Sequence, residues 1–331
     1  MAELANIKTR LCDKPIVIDD WRRDDTYDGV FPKGSRDKSV YFSPENPGHV
    51  CLRGNYRYLF KLSRNHFPWQ FWVETIAYRL GLIAGIEVPP AHIGVNNNYN
   101  PGETTYGALI EWFYDDRKDF YIEGGQLMIQ LVQDYDRKKG SQHNFANIKE
   151  YFRYKKTFPR FQEHWAGVFT LDCLTGNTDR HHDNWGVVVK DARQQTPSGM
   201  IRRDFSPAFD NGTALGYEIL EQNIDKYRGE KKLDNYLTNA NKARHHMRWS
   251  LDENESLNFY DFMRKFVLEF PDTMPIIRKH LDFNRSQVEE VMNPLVVAVS
   301  DDVHHLSRKR LYFMIELIFR RKQLLEKVLG I

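Results

Sequence analysis

The chain has 331 residues, 41% apolar, 28% charged and 14% aromatic, with a net charge of +2. That is ordinary for a globular protein with material for about two lobes and an ample core, and the near-neutral balance gives no bulk electrostatic reason to expect direct binding of nucleic acid. Runs such as Pro294-Leu295-Val296-Val297-Ala298-Val299 are far too short to span a bilayer, and Met1-Ala2-Glu3-Leu4 lacks the basic region and apolar core of a secretory signal. The expectation is a soluble, cytoplasmic protein without a transmembrane segment, with translocation by a specialised signal as the alternative. Cys12, Cys51 and Cys173 are isolated and match no metal-ligand spacing, which predicts reduced thiols acting as small buried hydrophobes.

Residues 1–115 read as a small mixed lobe. The stretch Val30-Phe31-Pro32-Lys33-Gly34-Ser35-Arg36-Asp37-Lys38-Ser39 precedes a strand at Val40–Phe42. Gly34 permits close backbone approach, and Ser35, Arg36 and Lys38 offer donors for phosphates, although the pattern is neither Gly-x-Gly-x-x-Gly nor a Walker A loop. Arg53-Gly54-Asn55 reads as a hairpin turn. Tyr58-Leu59-Phe60-Lys61-Leu62 is a strand whose lysine is placed to clamp the α/β-phosphates of ATP, the alternative being an edge-strand solubility lysine. A helix over roughly 69–84 follows, with Trp72, Val73, Ile76, Ala77, Leu80 and Ala84 at helical spacing and Gly85 as its stop. Its Glu74 either pairs with Lys61 or is solvated. Ala91–Val95 is a strand, Asn96–Gly102 a turn by its chemistry, and Ala108–Trp112 a further strand. In Ile110-Glu111-Trp112-Phe113-Tyr114 the C=O of Glu111 and the N–H of Phe113 are positioned to pair with adenine, or Trp112 and Phe113 are ordinary core aromatics.

From about residue 116 to 331 the pattern is mostly helical. A buried helix over Phe161–Leu174 ends at Gly176, where Asn177-Thr178-Asp179-Arg180-His181-His182-Asp183-Asn184 begins. Phe209-Asp210-Asn211-Gly212 follows downstream. An Asp and an Asn five residues apart, then a second Asp before an Asn-Gly turn, is a set that phosphoryl transfer from Mg-ATP uses. Asp179 would be the catalytic carboxylate, and Asn184 and Asp210 the oxygen ligands of Mg²⁺. The competing reading makes these residues caps and turns. Adjacent histidines point apart and no third His or Cys sits at ligand spacing, so His181 is read as a buried brace and not as a zinc ligand. The last helix places Leu306, Phe313, Leu317, Leu324 and Val328 on a packed face. Its many basic residues, Arg310 and Arg321 among them, form a solvated face or meet an anionic partner or an acidic membrane surface.

The Asn177–Asn184 motif, with Ser206-Pro207-Ala208-Phe209-Asp210, resembles the HipA-like serine/threonine kinases of bacteria, which carry Asn-x-Asp-x-His-x-x-Asn and a later Pro-x-Tyr/Phe-Asp. The Gly34–Lys38 loop, the Lys61 strand and the Glu74 helix are similar to their nucleotide loop and lysine strand, so the landmarks run from about residue 30 to 215. Length favours the compact, stand-alone HipA-like (CtkA-like) kinases, some of which are translocated into host cells. The resemblance implies a two-lobed α+β protein-kinase-like fold and Mg-ATP-dependent phosphorylation of protein Ser or Thr. It also implies autophosphorylation, with Ser35 and Ser39 as candidates, and a possible host or antitoxin-like protein partner. On this sequence Asp179 is then the base, Asn184 and Asp210 hold Mg²⁺, and Lys61 holds ATP. The departure is Arg180: Asp-Arg-His-x-x-Asn is also the signature of phosphatidylinositol 3/4-kinases, so a lipid or small-molecule hydroxyl is the alternative substrate.

Overall fold

The computed structural model describes residues 2–27, 36–155, 160–191, 202–239, 243–252 and 256–331. In chain order, α1 (Ala2–Lys8) leads into β1 (Ile16–Val17), β2 (Arg22–Arg23), β3 (Lys38–Phe42) and β4 (Arg57–Lys61). Helix α2 (Phe71–Ala84) follows, then the hairpin of β5 (Ala91–Asn100) and β6 (Glu103–Glu111). Next come β7 (Phe120–Glu123), α3 (Gly124–Leu131), α4 (Phe145–Lys155) and α5 (Phe161–Thr175), then β8 (Gly186–Val189) and β9 (Arg203–Phe205). The remainder is helical: α6 (Glu230–Thr238), α7 (Phe259–Glu269), α8 (Met274–Leu281), α9 (Arg285–Met292) and α10 (Arg308–Leu329).

These elements form two units. The first comprises 1–112, 211–226 and 283–317, and the second 113–210, 227–282 and 318–331. The first unit holds a six-stranded sheet in the order β1-β5-β6-β4-β3-β2, parallel only between β1 and β5. Tyr58 and Phe60 of β4 are fully buried in a core with Trp21, Tyr41 and Leu109. Helix α2 is apolar nearly all round, burying Phe71, Trp72, Val73, Ile76, Ala77 and Leu80, as befits a helix enclosed by its own unit. It stops where expected: Gly85 adopts φ +66° and returns its N–H to Gly81, a left-handed cap that costs other residues more. In the second unit β7, β8 and β9 form a three-stranded antiparallel sheet. The helices there enclose an aromatic core in which Phe145 meets Trp165 at 5.7 Å and Phe169 meets Phe262 at 4.8 Å.

Three expectations are corrected. The tract from Asn96 is strand, not turn: β5 continues to Asn100 through a register irregularity, Asn97 is held by Asp19 at 2.7 Å, and only Pro101-Gly102 turns. Asparagine favours turns, but a partner strand and an aspartate together satisfied these backbone groups. In α10, Val328 is exposed, while Arg310 and Arg321 are buried at 1% and 4% exposure. Arg310 lies 4.1 Å over Trp69 and reaches Glu221 and the Ile219 carbonyl, and Arg321 reaches the Thr175 carbonyl at 3.1 Å. These arginines are packing residues with buried stems, not a solvated basic face. Finally, Cys12 and Cys51 are joined in a disulfide across 39 residues, their Cα atoms 6.3 Å apart. The reading of reduced thiols therefore holds only for Cys173, whose burial pushes its thiol up to about 12. Among the described residues no helix is long and apolar enough to cross a membrane.

Candidate active site

In the first unit the candidate residues converge on one carboxylate. Lys61 ends β4, which runs between β3 and β6, so this is an interior strand and not an edge. Its Nζ lies 2.9 Å from Oε1 of Glu74, in the first turn of α2, and both side chains are almost fully buried. Arg36 Nη2 donates to the same oxygen at 3.1 Å. The backbone N–H of Asn211 donates to Oε2 at 3.0 Å. Glu74 is thus buried and paired, the first of its two readings. The Asn211-Gly212 turn is gripped further: Gln70 Nε2 donates to the Gly212 carbonyl at 2.8 Å, and a Cβ at Gly212 would come within 2.1 Å of the Arg36 guanidinium. Only glycine admits that arginine.

Across the β3–β4 ladder Lys38 stands directly opposite Lys61, on the same face of the sheet. Like charges in directly opposed positions repel, so a face built this way is suited to an anion. Gly34 and Ser35 lie outside the described residues. Ser39 is 4% exposed within β3 and pairs with Phe60, and a hydroxyl so enclosed is not available for phosphorylation. Glu111 ends β6, with its carboxylate against Tyr58 and Arg53. Burial raises that carboxyl, a shift opposed by Arg53. Phe113 opens the second unit, its ring stacked on Phe209 at 5.0 Å.

In the second unit the motif loop leaves α5 through Gly176, whose φ of +67° turns the chain. The Asp179 N–H is held by Asn177 Oδ1 at 3.1 Å. Asn184 donates its amide Nδ2 to the Asp179 carbonyl at 2.7 Å, leaving Oδ1 as the atom of that amide able to take a metal. His181, half-buried where full burial was expected, accepts the Asp183 N–H on Nδ1 at 3.1 Å and donates its own N–H to the Asp179 carbonyl. His182 is buried against the Tyr135 hydroxyl at 2.9 Å. Each histidine braces the loop, as that reading requires.

Arg180 is the hub that the sequence did not reveal. It is fully buried and forms a fork with Asp172 of α5, with Nη2 at 2.7 Å and Nε at 3.1 Å. Its Nη1 donates to the carbonyl of Asn184 at 3.1 Å and also to that of Phe209. One guanidinium therefore gathers the metal-ligand candidate Asn184 and the residue before Asp210. Burial by itself would raise the Asp172 carboxyl, but Arg180 and His245 outweigh it and hold the group below the ordinary range. Asp210 has φ +55°, a left-handed conformation unfavourable for a residue with a Cβ. Such strain persists where the surroundings over-determine it, and it concentrates at functional sites.

The candidate donor set suits Mg²⁺: Asn184 and Asp210 offer hard oxygens and no thiolate or imidazole competes in the set. No protein-family model matches the sequence, and no curated protein matches it. Among solved structures the chain is similar to the Helicobacter pylori proinflammatory kinase CtkA, at 16% identity, covering 96% of this chain and 98% of that one, with a TM-score of 0.69. It is also matched to HipA of Shewanella oneidensis MR-1, solved with HipB and operator DNA, at 12% identity over 94% of this chain and 72% of that one, TM-score 0.49. The likeness to CtkA shows the fold: this chain has the α+β, kinase-like fold expected from its sequence.

Proposed function

We propose that the chain is a Mg-ATP-dependent protein kinase that phosphorylates serine or threonine, itself included. The observation that carries this reading is the treatment of Asp210. The residue before it is bonded to Arg180 and the residue after it to Glu74, the same carboxylate that pairs with Lys61. A carboxylate fixed from both sides suits a metal ligand that must be held in place on nucleotide phosphates. In this reading Lys61 and Lys38 attract the phosphates, and Asn184 and Asp210 hold Mg²⁺. That ion would neutralise the charge on the transferred phosphoryl group. Asp179 orients the attacking hydroxyl and accepts its proton. The backbone of Glu111 and Phe113 meets the adenine, and the Gly34-Ser35 segment supplies amides to the phosphates. Arg180, which made a phosphatidylinositol-type kinase the alternative, is fully buried within its own unit and so carries no argument for a lipid headgroup. The partner is a protein, of the host or antitoxin-like. The Cys12–Cys51 disulfide suits export to an oxidising setting better than permanent residence in a reducing cytoplasm.

Intact mass spectrometry after incubation with Mg-ATP tests the reading. A gain of phosphate on wild type, absent in Asp179→Ala, is expected. Full labelling of Asp179→Ala would overturn the mechanism, and phosphate appearing on a supplied inositol lipid but not on protein would move the substrate class.

A further inference from the structure

The first unit holds a second group of chemistry-bearing side chains that phosphoryl transfer does not use. The sulfurs of Cys12 and Cys51 and a ring nitrogen of His92 all lie within 4.8 Å of one another. Cys12 is 8% exposed and His92, on β5, only 1%. The His92 ring is fixed edge-on to Tyr78 with centroids 5.7 Å apart, yet its Nε2 is buried without a hydrogen-bond partner among the described residues. A buried polar nitrogen left unmatched is destabilising, and an apolar residue would avoid that loss. The disulfide offers no remedy, because a disulfide sulfur is a weak acceptor with no proton to donate. The histidine is therefore unexplained by the oxidised state of the pair.

We propose that Cys12, Cys51 and His92 form a redox-gated site for a zinc-class divalent cation. In the oxidised chain the sulfurs are joined and the site is closed to metal. A small dithiol attacks Cys51, the half-buried and so more accessible sulfur, and then resolves on itself. The S–S bond breaks, both protein sulfurs become thiols, and the dithiol leaves as its own disulfide. The cation then displaces two thiol protons and takes two thiolates and the neutral His92 Nε2. This soft and borderline donor set selects zinc-class ions over Mg²⁺. Bonds of about 2.3 Å would set the sulfurs about 3.8 Å apart in a tetrahedral site, a side-chain adjustment within reach of a Cα separation of 6.3 Å. The fourth position falls to water or to His49, exposed two residues before Cys51. The neighbouring Arg79 is neutralised by Asp13 at 2.8 Å.

The test uses the full chain, stripped of metal, oxidised or reduced with a phosphine, and titrated with Co²⁺. The oxidised protein should bind no cobalt at this site. The reduced protein should take one equivalent, with a thiolate-to-cobalt charge-transfer band and tetrahedral ligand-field bands, and lose both on adding Zn²⁺. Cys51→Ser should at least halve the charge-transfer band, His92→Gln should weaken binding at least tenfold, about 1.4 kcal/mol per decade, and Cys173→Ser should change nothing. Absence of stoichiometric binding by reduced wild type, or full affinity in a folded His92→Gln, overturns the proposal. Should that variant fail to fold, wild type decides alone: Zn²⁺ must protect Cys12 and Cys51 from alkylation, and unslowed alkylation sinks the idea. None of these readouts depends on kinase activity.

Discussion

In the first unit one carboxylate, Glu74, gathers two cations and a backbone N–H; in the second one cation, Arg180, gathers a carboxylate and two backbone carbonyls. The two hubs are mirror images in charge, and they grip the chain at adjacent points, Phe209 and Asn211. Between those grips sits Asp210 at φ +55°. The difference lies in what each hub does with its partners. Glu74 holds a residue expected to touch ligand, Lys61, whereas Arg180 and Asp172 are both wholly enclosed and only shape the loop around them. In the proposed reading the buried ion pair of the first unit belongs to the chemistry, and that of the second is scaffold.

The largest expected effect separates strain from function at Asp210. Asp210→Gly relieves the left-handed backbone, so the variant should be as stable as wild type or up to about 1 kcal/mol more stable. Its phosphorylation rate should nonetheless fall by about 10²–10⁴-fold, with metal-dependent ATP binding lost. A calorimetric unfolding curve together with a labelling assay reads both, and retained activity would break the assignment. Next come the hubs themselves. Arg180→Met abandons Asp172 and two carbonyls, and should cost about 3–5 kcal/mol in denaturant unfolding. Glu74→Gln, which leaves Lys61 and Arg36 facing a neutral amide, should cost less because the amide oxygen still accepts. Lys61→Met keeps Glu74 satisfied by Arg36 and Asn211, so it should lose only about 1–2 kcal/mol of stability while losing most activity. If Lys61→Met unfolds the protein as readily as Arg180→Met, the distinction between chemistry and scaffold fails.

Acid should attack the second unit first. Burial there pushes the His164 imidazole down to about 3 and His246 to about 4, with His143 well below its ordinary value. Groups with folded values below the unfolded value of about 6.5 leave stability intact above that pH. As pH falls further the unfolded chain takes protons that the folded chain refuses, and stability drains away down to the folded values. Asp172, depressed in the fold, adds a further loss below about 4 as it protonates. The first unit has His92, at about 3, as its counterpart. Hydrogen exchange followed from pH 7 to about 4 should show amides of α5 and α7 opening before those of β4 and β6, and the reverse order would contradict this account.

Much of this was legible in the sequence, for identifiable reasons. Helices α2 and α5 announced their ends because Gly85 and Gly176 sit where the helical periodicity stops, and the motif residues were readable because they are local. Arg180 was read as a substrate signal because its partner, Asp172, sits eight residues upstream within a buried helix, where no pattern marks it. Arg310 and Arg321 looked like solvated charge because sequence spacing says nothing about Glu221 or the Thr175 carbonyl. Cys12 and Cys51 are 39 residues apart, and only the sheet brings them to His92. Glu74 could be read either way until Arg36 and Asn211 were seen to share it.

The smallest expected effect concerns the face shared by Lys38 and Lys61. Their opposed positions cost on the order of 0.2–1 kcal/mol in the empty protein, because Glu74 offsets Lys61 more directly than Lys38. Lys38→Met should therefore move the unfolding midpoint by less than about 1 kcal/mol in either direction. Mg-ATP binding should nevertheless weaken several-fold, and the loss should shrink as salt is raised, since it rests on a screened charge. Lys38→Arg should restore the affinity. Equal binding by Lys38→Met at low salt would show that the second lysine is not part of the anion site, and would leave Lys61 as the only lysine of the pair acting on the phosphates.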